Sequence, residues 1–84
     1  MKPIRLSGHA RVAILSRGAT GQEVIDAVRQ VPWEPAEQGR MQCRKDFVFG
    51  RDWNGKTYGT KQVRPIFVVE ADEIVVVTVY VYYF

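Results

Sequence analysis

The chain has 84 residues, 46% hydrophobic and 25% charged, with a net charge of +3. That length fits one domain, residues 1–84, and that balance excludes a disordered polar chain. The single cysteine, Cys43, excludes an internal disulfide and fits a reducing compartment.

The opening MKPIRLSGHARV holds no apolar stretch of signal-peptide length. The longest largely apolar run, Ile74 to Phe84, has eleven residues, whereas a membrane-spanning helix needs ~20. A soluble cytoplasmic protein with no membrane partner is expected.

Lys2 to Leu6 suits a short first strand or a lead-in. Ser7 is a predicted helix N-cap and Gly18 a predicted stop, with Val12 and Leu15, beside Ala13 or Ile14, on the apolar side. Thr20 and Glu23 have the spacing of a capping box. Val24, Ile25, Val28 and Val31 then mark one helical face, with Asp26, Arg29 and Gln30 outside it, and Pro32 ends the run. The first third therefore predicts a helix pair with a turn at Gly18-Ala19.

Residues 32–40 carry two prolines and predict a loop. From Met41 the pattern becomes strand-like, most clearly at Asp46-Phe47-Val48-Phe49. Asn54-Gly55, within Asp52 to Lys56, is a strong hairpin signal. Thr57 to Gln62 continues as strand or irregular hairpin. Val63 to Glu70 and Ile74 to Phe84 are the strongest strands, joined by a three-residue loop, Ala71-Asp72-Glu73.

That loop sets Glu70 opposite Ile74, Val68 opposite Val76, Ile66 opposite Thr78 and Arg64 opposite Tyr80. One face then carries Arg64, Ile66, Val68, Glu70, Val76, Thr78, Tyr80 and Tyr82. The other carries Pro65, Phe67, Val69, Val75, Val77, Val79, Val81 and Tyr83. The second set is almost wholly apolar and suits a face covered by the helices; a one-residue slip would mix the two. The first set places a guanidinium beside two phenol rings, a surface able to hold a phosphate and stack a base. The same tyrosines suit a sheet-edge shield or a dimer contact.

The stretches SGHARVAILSRGATGQEVIDAV and GRMQCRKDFVFGRDWNGKTYGTKQVRPIFVVEADEIVVVTVYVYYF together resemble a bacterial domain-of-unknown-function family related to the RelE/ParE toxin superfamily. The first resembles its pattern of His-Ala, Arg, Arg-Gly and a short second helix with Glu-Val. The second resembles its strand half. The resemblance implies an α+β fold, with two N-terminal helices packed on a small, twisted, mostly antiparallel sheet. It also implies kinship with toxins of toxin–antitoxin pairs. RelE-like members cut messenger RNA, commonly on the ribosome and without metal, whereas ParE-like members act on DNA gyrase. RelE-like enzymes use basic side chains on the sheet and a tyrosine or histidine near the C-terminus. Here Arg44, Lys45 and Arg64 match the basic set, and Tyr80 or Tyr82 the terminal group. The only histidine, His9, departs from that pattern, standing at the start of the first helix.

Metal-free RNA cleavage needs a group to take the 2′-hydroxyl proton, one to stabilise the phosphorane and one to protonate the leaving oxygen. Arginine suits the second task through its planar fork, and histidine suits either proton transfer. The expected catalytic set is His9, Arg64 and Tyr80, with Arg44, Lys45 and Tyr82 contacting RNA. Arg11 and Arg17 read as solvated surface residues, Cys43 as a small apolar one, and Glu70, Asp72 and Glu73 as a charged turn. No zinc spacing, phosphate-binding glycine loop or Ser-His-Asp arrangement occurs, so neither metal nor cofactor is expected. The sequence thus leads to a toxin-like module, a metal-free ribonuclease acting on messenger RNA, with RNA or the ribosome, a small antitoxin and a second copy of itself as partners. The alternative is a non-catalytic protein-binding or homodimerising module. Convergence of His9, Arg64 and Tyr80 separates the two.

Overall fold

A computed structural model describes residues 1–84. Ser7 starts the first helix, α1 (Gly8–Arg17), its hydroxyl accepting from the Ala10 amide. Gly18 stops it in the left-handed region at φ +78°. The second helix, α2 (Gly21–Gln30), opens on the full capping box. Thr20 Oγ1 accepts from the Glu23 amide, and Glu23 Oε1 accepts from the Thr20 amide. Each side chain satisfies an amide that the first turn leaves without a helical partner.

The strands are β1 (Ile4–Leu6), β2 (Glu34–Pro35), β3 (Met41–Gln42), β4 (Lys45–Trp53), β5 (Lys56–Val69) and β6 (Ile74–Tyr83). They form one mixed sheet in the order β1-β6-β5-β3-β2, with β4 also paired to β5. The β1–β6 pairing is parallel and the others antiparallel. The fold class is α+β, two helices with a six-stranded sheet.

β5 organises the sheet. One edge pairs with β6 along its C-terminal two-thirds, and the other meets β4 and then β3. The segments expected as separate strands, Thr57–Gln62 and Val63–Glu70, are one continuous strand. Pro65 lies in its middle, a position that normally loses a ladder hydrogen bond. Here β3 and β4 are interrupted at Cys43-Arg44, opposite the proline, and the Cys43 amide donates to the Pro65 carbonyl. The missing N–H falls where no strand partner stands.

The Asn54-Gly55 hairpin is tighter than the five-residue turn expected. Both residues have positive φ, at 53° and 83°, which is the backbone that a two-residue primed turn demands.

One hydrophobic cluster draws on both helices and the sheet: Ala10, Ile14, Val24, Ala27 and Val28 meet Val63, Phe67, Ile74, Val76 and Val79. Two expectations need correction here. Val12 and Leu15 are 65% and 82% exposed, and α1 instead buries Ala10, Ala13 and Ile14. That stripe follows the i, i+3, i+4 rule, but its small side chains give it little apolar weight in the sequence. The second correction concerns the final hairpin. Its loop is Glu70–Glu73, closed by the Glu70 amide on the Glu73 carbonyl. Val69 therefore faces Ile74, and Val68 faces Val75. A bulge between Ile66 and Phe67 then restores Ile66 opposite Thr78 and Arg64 opposite Tyr80. The extra residue in β6 reverses the alternation. Val76 joins Phe67 in the core and Val75 turns to the other face, the reverse of the expected assignment.

A second apolar cluster surrounds Tyr83. Trp53 stacks on its ring at 5.0 Å, with Phe49 at 5.1 Å and Tyr58 at 5.7 Å. The Tyr83 hydroxyl donates to the Arg17 carbonyl at 2.7 Å, tying the end of β6 to the end of α1. Burial raises its phenol pKa above the ordinary value.

Cys43 is fully buried in the main cluster, and desolvation pushes its thiol up to about 11. The thiolate is the reactive form. Native protein at pH 8 should therefore resist a thiol-specific reagent such as DTNB, and urea should release one reactive group per chain. Rapid labelling without denaturant would show that this region opens readily.

Candidate functional site

The face of the sheet remote from the main core carries Gln42 from β3, Asp46 from β4, Gln62 and Arg64 from β5, and Tyr80 and Tyr82 from β6. The register brings these together. Gln42 pairs with Ile66, Asp46 with Gln62, and Arg64 with Tyr80. Gln62 donates to the Asp46 carboxylate at 2.9 Å, closing one side of the array.

Arg64 stands at its centre. Its Nε donates to Gln42 Oε1 at 2.8 Å and its Nη1 to the Tyr82 hydroxyl at 2.9 Å. A guanidinium has five N–H donors, so three remain available. None of the ion pairs of the fold includes Arg64: these are Arg5–Glu73, Arg44–Glu34 and Lys61–Glu23. Arg64 is thus held in place by neutral partners and keeps its full charge for an outside anion.

Tyr80 is 40% exposed and takes two cations. Arg64 lies 5.3 Å from its ring centroid and Arg17 5.1 Å. Arg17 comes from the last turn of α1, and its Nη1 donates to the Val79 carbonyl at 2.6 Å. This anchor carries the guanidinium past the edge of β6 to the ring. Such contacts fix ring and cation while leaving N–H groups directed outward.

Two depressions flank Arg64. One is a groove of ≈ 520 Å³ lined by Pro35, Ala36, Glu37, Gln42, Arg64, Ile66 and Tyr80. The other, ≈ 240 Å³, is lined by Arg44, Gln62, Arg64 and Tyr82. Arg44 is tied only loosely, 3.9 Å from the Glu34 carboxylate.

Of the residues picked out from the sequence, Arg44, Arg64, Tyr80 and Tyr82 come together here. Lys45 lies elsewhere: it pairs with the buried Val63, on the core side of the sheet, and its amine sits over the Phe47 ring. His9 is exposed in the first turn of α1 and lines none of the cavities. Arg17, the α1 residue that does reach the face, is eight residues further on, about 12 Å along the helix axis.

Sequence reasoning missed Arg17, Gln42 and Glu37. Arg17 read as one of two solvated helix arginines, and only the contact between the end of α1 and β6 gives it a role. Gln42 and Glu37 lie in or beside a loop with no periodic signal to place them. It also missed Lys61, which is 2% exposed. Its amine pairs with Glu23 Oε2 at 2.8 Å and donates to the Gly18 carbonyl at 3.1 Å. That pair joins β5 to the turn between the helices and belongs to the core, not to the open face.

No protein-family model, curated protein or solved structure matches the chain. No helix is long and apolar enough to cross a membrane, and no group of three or more potential metal-ligating side chains occurs.

Proposed function

We propose that the chain is a toxin-like module of the RelE/ParE kind that engages single-stranded RNA, messenger RNA on the ribosome in particular, through its open sheet face. The observation that carries this reading is the cation–aromatic array: an exposed Tyr80 ring under two guanidiniums, with Arg64 oriented by Gln42 and Tyr82 and free of any carboxylate. Phosphates need charge with a fixed fork, and unpaired bases need flat rings. Both stand side by side here.

Strand cleavage at this site would assign the phosphorane to Arg64. Proton transfer would fall to the Tyr80 or Tyr82 hydroxyl, since His9 stands outside the groove. A toxin-like role brings with it a small antitoxin partner that masks this face. The position of His9 favours a second reading, in which the same face binds without cutting and contacts a protein or a second copy instead.

Induced expression in bacterial cells, followed by growth and messenger integrity, tests the proposal. Wild type should arrest growth and fragment messages, and Arg64→Ala should do neither. Tyr80→Phe and Tyr82→Phe each keep the ring and lose the hydroxyl; both should retain RNA binding, and the one that removes the proton-transferring group should lose cleavage. In a parallel binding assay, Arg64→Ala should lower the salt slope of RNA affinity by about one and Tyr80→Ala should weaken binding about 5- to 150-fold. RNA binding without cleavage would overturn the nuclease activity and leave RNA recognition standing. Absence of RNA binding would overturn both and leave the protein-binding reading.

A further inference from the structure

We infer that the ≈ 520 Å³ groove is a nucleobase subsite selective for guanine, with Glu37 as the residue that selects. This rests on the RNA reading above and adds to it which base is held and where. The two depressions share Arg64 and differ in charge. The one lined by Arg44, Gln62, Arg64 and Tyr82 has two guanidiniums and no carboxylate in its lining, Asp46 and Glu34 standing behind Gln62 and Arg44 as their partners, and it suits a phosphate. The groove on the other side of Arg64 contains Glu37. A carboxylate repels a phosphate, so the sugar–phosphate chain belongs to the first depression and the base to the second.

The walls of the groove suit that assignment. Pro35 offers apolar surface to the face of a base, with Ile66 in the floor of the groove and the rim of the Tyr80 ring, whose face carries the two guanidiniums, along its side. Its polar groups are few and sharply divided. Ionised Glu37 only accepts hydrogen bonds, and Arg64 only donates. Gln42 has spent its oxygen on Arg64, and only its amide N–H groups face other partners. The Glu37 carboxylate itself has no ion-pair partner in the fold. It stands exposed in a short turn, Glu37–Gly39, with both oxygens available.

Two acceptor oxygens on one carboxylate call for two adjacent donors. Among the four RNA bases only guanine presents these, N1–H beside the N2 amino group. Its O6, next along the same edge, meets the donors of Arg64 or Gln42. Adenine and cytosine each set a ring nitrogen acceptor beside their amino group. Uracil sets its one imino donor between two carbonyls. Each of these would direct an acceptor at a carboxylate oxygen and leave polar groups unpaired.

The test is binding of fluorescein-labelled trinucleotides UGU, UAU, UCU and UUU, read by anisotropy at fixed salt. Wild type should bind UGU about tenfold or more tightly than the other three, the scale of one bidentate base contact. Glu37→Gln should remove that preference while leaving UUU affinity equal or slightly higher, because an exposed negative charge has gone. Glu37 is on the surface, so the variant should fold, and its melting temperature checks this. Equal affinity of wild type for all four, or a guanine preference unchanged in Glu37→Gln, would overturn this inference and leave RNA binding standing. Failure to bind any of the four would overturn both.

Discussion

Glu23→Gln should destabilise the protein by about 3–5 kcal/mol, the usual consequence of removing one partner of a buried ion pair. Lys61 is the reason. Its side chain is 3% exposed and its amine has one carboxylate, Glu23, at 2.8 Å. Glutamine has one side-chain acceptor where Glu23 uses two, so it can keep the Thr20 amide only with its NH2 group turned to the Lys61 amine, and the loss combines the missing charge with a donor set against a donor. The favourable neighbours left to the ammonium group are the Gly18 carbonyl and the Phe49 ring. Urea unfolding measures the loss. Lys61→Met should cost less, because Glu23 is 20% exposed and keeps its bond to the Thr20 amide. The double variant should recover most of what Glu23→Gln alone loses. A loss below about 1 kcal/mol for Glu23→Gln would mean that water reaches Lys61 and that the pair behaves as a surface one.

Gly18→Ala should be of similar size, about 2–5 kcal/mol, for two separate reasons. The backbone at φ +78° disfavours any side chain by about 1–2 kcal/mol. A Cβ there would also sit 2.5 Å from the Tyr83 hydroxyl oxygen and 2.7 Å from the Trp53 ring. Both belong to the second aromatic cluster, and moving them adds about 1–3 kcal/mol of overpacking. Gly55→Ala supplies the control. Its φ is +83°, but nothing lies within 4 Å of the added carbon, so only the backbone term applies. Thermal melts of the two variants should therefore differ, with Gly18→Ala the lower. Equal melting temperatures would show that the rings shift at little expense. Because Trp53 stacks on Tyr83, its fluorescence reports directly whether the cluster has opened.

The parts of this fold that are local were legible in the sequence. Ser7, Gly18, the Thr20–Glu23 box and Asn54-Gly55 each act within a few residues, and each forms as its chemistry dictates. The pairing of Arg64 with Tyr80 came out as expected because the bulge between Ile66 and Phe67 cancels the one-residue error in the loop from which it was counted. Nearer the loop the expected register failed, since a bulge changes the alternation and no residue type announces it. The stripe on α1 was hidden because Ala10 and Ala13 are small. They are buried as places where a helix approaches β6 closely, which a reading weighted by hydrophobicity does not see.

The site divides in the same way. Arg64, Tyr80 and Tyr82 share a strand pair and could be grouped by alternation alone. Alternation alone sets Lys45 with Phe47 and Arg44 with Asp46, on opposite faces, and the structure keeps them so; Lys45 was grouped with the RNA contacts for its charge and not for its side of the strand. Arg17 and Glu37 enter the face from other elements, and nothing within reach of a few residues joins them to Tyr80. His9 shows the converse: its chemistry attracted a catalytic role, and its place on α1 sets it apart from the cavities.

The parallel pairing of β1 with β6 has a consequence for how the molecule is made. Ile4 lies beside Ile74, and Leu6 beside Val76, across some 70 residues of chain. The helix pair and the β4–β5 and β5–β6 hairpins close short loops and need little search. The β1–β6 contact closes nearly the entire chain. During synthesis the helices and the first hairpin can form as they emerge, but β1 has no strand to pair with until β6 has cleared the ribosome. The sheet is then completed by its two most distant segments, and by contact-order reasoning this closure should be the late step in refolding as well.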